Sequence, residues 1–134
     1  MDQVRSAIPR GVIAFQPSSK ILVREPIYFR TTVPNRFSTV IVVLDIPIEI
    51  DMTATYTWNF GDGGALTTKD PGSHYPLSTI RHSYQRAGEY DLTLGITWSG
   101  VWRSGALSGP IRGTINQSLS SVMRIESARV RITE

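Results

Sequence analysis

The stretch that decides the fold is Leu44-Asp45-Ile46-Pro47-Ile48-Glu49-Ile50-Asp51-Met52-Thr53-Ala54-Thr55-Tyr56-Thr57-Trp58-Asn59-Phe60. Every even position in it is apolar, and every odd position is Asp, Pro, Glu, Thr or Asn. A period of two gathers the apolar side chains on one face of an extended chain, the pattern of a half-buried antiparallel strand, whereas a helix needs apolar residues every three or four. Fully extended, the run would span roughly 55 Å, far beyond an ordinary strand. It is therefore expected to bend or break inside, at Pro47 and Thr53. Pro47 has no N–H for a ladder and suits a turn or an edge. The reading is two arms, Thr39 to Leu44 and Ile48 to Met52, joined near Asp45 to Pro47, followed by a core strand from Ala54 to Phe60.

The same pattern predicts strands near Val12 to Phe15, Ile27 to Thr32, Ile80 to Tyr84, Glu89 to Trp98 and Met123 to Ile132. Turn residues separate them: Gly61-Asp62-Gly63-Gly64, Asp70-Pro71-Gly72-Ser73 and Ala87-Gly88. No segment of ten or more residues has helical spacing. With 134 residues, of which 40% are hydrophobic, the chain holds one packed domain, and the strands and turns point to an all-β antiparallel sandwich. There is no cysteine, which excludes disulfides, thiol nucleophiles and thiolate zinc sites. No apolar run reaches the length of a membrane-spanning helix, and Met1 to Gly11 lacks the apolar stretch of a signal peptide. No membrane contact by this segment is expected.

The formal charge of +3 hides a segregation. Residues 1–40 carry six basic and two acidic side chains, residues 41–70 one and five, and residues 71–134 seven and four. Twelve of the 14 basic residues are arginines, but they are scattered singly along strand-like segments. That scatter predicts solvated strand faces and argues against nucleic acid as a partner, which needs a continuous basic track.

Two segments go beyond fold class. Tyr56-Thr57-Trp58-Asn59-Phe60-Gly61-Asp62-Gly63 is followed by His82-Ser83-Tyr84-Gln85-Arg86-Ala87-Gly88-Glu89-Tyr90-Asp91-Leu92-Thr93-Leu94. Together they resemble the paired signature of the PKD family of immunoglobulin-like domains, Y-x-W-D-F-G-D-G and then H-x-Y-x-x-x-G-x-Y-x-V-T-L. Asn59 stands where the family usually has Asp, and Leu92 where Val is common. The resemblance extends over roughly residues 15–133, leaving residues 1–14 as an N-terminal arm or first edge strand. It is similar to PKD-type domains of actinobacterial surface or secreted proteins in three further features. These are an extra hairpin before the Trp strand (Val40 to Met52), Pro71-Gly72-Ser73-His74-Tyr75-Pro76, and a Gly/Trp-rich insert from Trp98 to Gly113.

The motif also reads physically. Trp58, between Tyr56 and Phe60 on the apolar face, is the expected centre of the sandwich, because a buried indole carries one of the largest apolar areas available to a core. Gly61 and Gly63 permit the positive φ of a tight turn, and the Asp62 carboxylate is an acceptor for N–H groups in that turn. His82 is expected to make a structural hydrogen bond. Tyr84, ahead of Gly88 and Tyr90, resembles a tyrosine corner, whose hydroxyl ties the chain entering a strand to nearby backbone.

Raw material for catalysis is thin. A Ser-His-Asp set could be drawn from Ser73, His74 and Asp70, but adjacency in a polar turn does not orient a nucleophile against a base. Asp45, Glu49 and Asp51 fall on the polar face of the long run and read as solvated edge charges in preference to a calcium site. No cofactor or metal site is expected, and no enzymatic activity. Gly61 to Gly64 is followed by no Lys-Ser/Thr, so it is not a phosphate loop. Asn116-Gln117-Ser118 fits a glycosylation sequon, a triplet frequent by chance.

The most suggestive segment runs from Gly95 to Gly105. Trp98 continues the Leu92, Leu94, Ile96 face and is expected in the core. Trp102 lies past Ser99-Gly100, read as a turn, with Arg103 beside it. The pair is the candidate partner-binding site, with Trp102 either an exposed anchor or a lid over the sandwich edge. The PKD resemblance implies a non-catalytic binding or spacer module of a larger secreted or cell-surface protein, in contact with a protein or a glycan. The signal and anchor would then lie elsewhere in that protein. Two other roles stay open: a carbohydrate-binding accessory domain, which needs an exposed aromatic strip, and a self-assembling subunit with a basic arm (Arg5, Arg10).

Overall fold

The computed structural model describes residues 2–127, so residues 128–132 of the last expected strand, and the end of the expected domain, lie outside the described residues. The long alternating run becomes strand β5 (Ile46–Asn59), continuous and with alternate side chains buried from Ile50 onward. It breaks neither at Thr53 nor at Pro47. Thr53 sits in register between Arg36 and Ser99 on the two flanking strands. Pro47 opposes Val42 of β4 (Arg36–Val43), one pair in from the turn. A two-residue hairpin closes on a hydrogen-bonded pair, here Val43 and Ile46, so at the next pair the backbone groups point away from each other and the missing N–H costs β4 nothing. The hairpin turns at Leu44 and Asp45, both at positive φ (51° and 65°), and not at Asp45 to Pro47. Two left-handed residues give the type I′ geometry that matches strand twist.

Two sheets form the sandwich. The smaller pairs β1 (Ile13–Gln16), β3 (Ile27–Thr31) and β7 (Arg81–His82) in the order β1-β3-β7. The larger runs β2 (Ile21–Leu22), β10 (Ile115–Glu126), β8 (Gly88–Ser104), β5, β4, with β6 (Ala65–Thr68) added to β5 and β9 (Leu107–Pro110) added to β8. All pairings are antiparallel except β2 with β10. The residues before β1 form a helix, α1 (Asp2–Ala7), too short to show periodicity in the sequence. Its Val4 is fully buried. Among the described residues no helix is long and apolar enough to cross a membrane.

Strand β8 does not end at Trp98. Ser99-Gly100 is not a turn: β8 runs on to Ser104, pairing first with β10 (Gly88 to Trp98) and then with β9 (Val101 to Ser104), while β5 lies along its other side. Gly100 is glycine for space and not for a turn, since a Cβ there would fall 2.0 Å from the Asp51 carbonyl oxygen and 2.6 Å from the Met52 sulfur. The true turn follows at Gly105-Ala106. Trp58, Trp98, Tyr56, Tyr84 and Phe29 are the largest fully buried side chains, and Phe29 from the small sheet packs 5.7 Å from Trp58 and 5.1 Å from Phe60. Aromatic contact therefore joins the two layers. Among the described residues the Trp58 indole N–H finds no partner, so packing is what holds the ring.

Candidate functional site

The turn after β5 is built around Asp62. Its carboxylate accepts the Gly64 N–H at 2.9 Å and meets His82 Nε2 at 2.7 Å. The His82 ring stacks on Phe60 at 4.1 Å and meets Tyr84 edge-on at 4.9 Å. Gly61, at φ 86°, has no room for a side chain, because a Cβ would lie 2.5 Å from the Asp91 carbonyl oxygen. Burial pushes the Asp62 carboxyl up, but the Gly64 N–H and the hydrogen bond and charge of His82 outweigh it and leave it below the ordinary range. This cluster fastens the turn after β5 to β7.

Three tyrosine hydroxyls donate to backbone carbonyls. Tyr56 reaches Val33 and Tyr84 reaches Phe60, both at 2.8 Å and both buried. Burial pushes the Tyr56 hydroxyl up to about 12, with the Asp70 charge adding to it. Tyr84 thus ties the segment that follows β7 to the residue that follows β5. The short-range tie expected of it is made instead by Tyr90, whose hydroxyl donates to the Arg86 carbonyl at 2.7 Å across Gly88. Tyr90 is four residues past the acceptor, close enough to brace the turn into β8.

The would-be triad does not assemble. Asp70 receives the Gly72 N–H at 2.8 Å and the Thr79 hydroxyl at 2.6 Å, one on each oxygen, and the described hydrogen bonds include none from His74 to Asp70 or Ser73. The acidic residues of the long run are also dispersed. Asp45 lies in the hairpin turn, Glu49 pairs with Arg103 and Asp51 accepts the Ser38 hydroxyl. Among the described residues no three His, Asp or Glu side chains converge on a point.

Trp102 and Arg103 do not form one platform. Because β8 continues through them, neighbouring side chains leave on opposite faces. Arg103 points outward, where its Nε donates to Glu49 Oε2 at 2.8 Å, and that hydrogen bond and charge push its guanidinium pKa further up. Trp102 points inward in step with Leu94, Ile96 and Trp98, half-buried against the core and so near Gly109 that a Cβ there would fall 3.1 Å from the indole nitrogen. Its exposed part lines an apolar groove of about 480 Å³. Val4 of α1, Ile41 of β4, Ile48 and Ile50 of β5, Pro110 at the end of β9, and Ile111 and Arg112 after it complete the lining. Reading Ser99-Gly100 as a turn hid this groove; counting Gly100 as an in-strand position would have put Trp102 on the inner face. Gln117 holds the neighbouring arm, accepting the Trp98 indole N–H at 3.0 Å and donating to the Pro9 carbonyl at 2.9 Å.

With the Trp strand, the His82–Asp62 turn and the two-layer core in place, a family comparison has a structure to rest on. The family model for the PKD domain matches residues 28–97. The chain belongs to the PKD domain family. PKD domains are non-catalytic immunoglobulin-like modules, typically extracellular parts of larger proteins. No curated protein matches the chain. The PKD match ends at Thr97, ahead of Trp102 and the β8–β9 hairpin, and begins after α1. Much of the groove wall, namely Val4, Trp102, Pro110, Ile111 and Arg112, therefore lies outside the residues that the PKD model matches.

Proposed function

We propose that this PKD domain is a non-catalytic binding module of a larger extracellular protein, and that it holds a protein partner by an apolar side chain seated in the groove beside Trp102. The observation that carries the reading is the groove itself: an aliphatic channel with one indole along its wall and a single charged side chain, Arg112, in its lining. Such a channel suits a Leu or Phe anchor, and Arg112 suits a carboxylate next to that anchor. Sugar binding is less well supported. The outward face of the large sheet carries the hydroxyls of Thr53, Thr55, Thr57, Thr93, Thr97, Ser118 and Ser120, but no aromatic ring faces out among them for a pyranose to stack on.

The test is a titration followed by NMR at the Trp102 indole N–H, using short peptides with one Leu or Phe beside an acidic residue, and neutral oligosaccharides in parallel. The expected result is a shift of the Trp102 signal with the peptides, weakened at least about tenfold by Ile48→Glu. Oligosaccharide shifts on the outer threonines, with no peptide response at Trp102, would overturn the proposal.

A further inference from the structure

Strand β4 is an open edge of the large sheet: among the described residues β5 is its only strand neighbour. Its backbone groups alternate, so those of Ser38, Val40 and Val42 point away from β5. Edges of this kind are templates for pairing with another chain, and proteins usually blunt them with charge, proline or a bulge. Here nothing between Arg36 and Asp45 is charged. Val40 and Val42 are 59% and 53% exposed.

Among the described residues, α1 lies beside the Val42 end of this edge, and one of its side chains hydrogen-bonds to the edge backbone. Gln3 of α1 donates its Nε2 to the Val42 carbonyl at 3.0 Å and accepts the Val42 N–H on Oε1 at 3.1 Å. A primary amide bonded in this reciprocal way imitates the backbone of a neighbouring strand. It satisfies Val42 and leaves Ser38 and Val40 without a strand partner.

We infer that β4 pairs edge to edge with β4 of a second copy of this chain, and that Gln3 is the latch that competes with this pairing. The second copy is the occupant because the strip complements itself. Run antiparallel on its own copy with Val40 opposite Val40, it sets Ser38 opposite Val42, and Arg36 opposite Leu44 and next to Asp45 of the second copy. The basic end of each strip then meets the acidic end of the other, twice, by the two-fold symmetry of an isologous contact. Bonding at Val42 requires that Gln3 let go.

Sedimentation equilibrium of the full chain tests this. Gln3→Ala should dimerise about tenfold more tightly than the parent. Adding Val40→Lys to Gln3→Ala should return it to monomer. Arg36→Glu should weaken the dimer, and Arg36→Glu with Asp45→Arg should restore it. Because Val40, Arg36 and Asp45 are exposed, far-ultraviolet circular dichroism should show these variants folded. If Gln3→Ala itself loses the fold, Gln3→Glu, which keeps the acceptor and drops the donor, gives the same reading. A dimerisation constant unchanged by Gln3→Ala, or a dimer indifferent to Val40→Lys, would overturn the inference, and failure of the charge swap would overturn the register.

Discussion

Asp62 and His82 meet at 2.7 Å, 20 residues apart in sequence, and so fasten the turn that follows β5 to the small sheet. The carboxyl is held below its ordinary 3.8. A group whose pKa is depressed in the folded state contributes stability above its unfolded value, and that contribution fades as pH falls through the folded value. The domain should therefore lose stability as pH drops below about 4. Asp62→Asn should be less stable than the parent at pH 7 and should show a shallower loss on acidification. Denaturant unfolding at several pH values measures both slopes, and parallel slopes would remove Asp62 from the account.

Trp58→Ala should cost about 3 to 5 kcal/mol, the range for a fully buried aromatic. Trp58→Phe should cost less, about 1 to 2 kcal/mol, because the indole N–H has no hydrogen bond to lose. A loss from Trp58→Phe well above that range would show that the indole N–H has a partner after all. Thermal or urea melts are sufficient.

Gly100→Ala should destabilise by about 1 to 3 kcal/mol, since the added Cβ meets the Asp51 backbone carbonyl of β5, a clash that movement of the Met52 side chain does not relieve. If position 100 were a free turn, alanine would be tolerated. Urea unfolding of this one variant tells the two apart.

Trp102→Ala should cost about 1 to 2 kcal/mol, less than Trp58→Ala, because Trp102 is only partly buried whereas Trp58 is fully buried. Arg103→Ala should leave the melting midpoint nearly where it was, as exposed ion pairs contribute little. Adjacent residues with such different outcomes would follow from their lying on opposite faces of β8. Similar outcomes would argue for a break in the strand at Gly100.

The sandwich and its centre were legible because Leu44 to Phe60 alternates without error and because Tyr56, Trp58, Phe60, His82 and Tyr84 stand at spacings that specify the core. What escaped was wherever a local residue preference was overridden by a neighbouring strand. Pro47 reads as a breaker until its place opposite Val42 shows that no ladder bond needs its N–H. Ser99-Gly100 reads as a turn until β5 is seen to press against Gly100. The groove depends on both errors being corrected, since it draws on α1, the β4–β5 hairpin and the end of β8, which lie far apart in sequence. Gln3 gave no signal at all: a polar residue near the start of a chain does not announce which strand its amide will meet.

The long central strands also fix where the chain enters and leaves. Residues 2–7 sit at the Trp102 end of β8, whereas Ile125 and Glu126 lie at the Gly88 end, beside β2. Those two points are separated by most of the length of β8, roughly 45 Å at the rise of an extended chain. A pull applied between them runs parallel to the strands, so β10 would have to slide against β8 along all of Ile115–Ile125 before it could leave. Ladder bonds loaded sideways in this manner give way together, and those peeled from one end give way singly. As a link in a tethered chain the domain would resist stretching like a lap joint, with its strongest axis along β5 and β8.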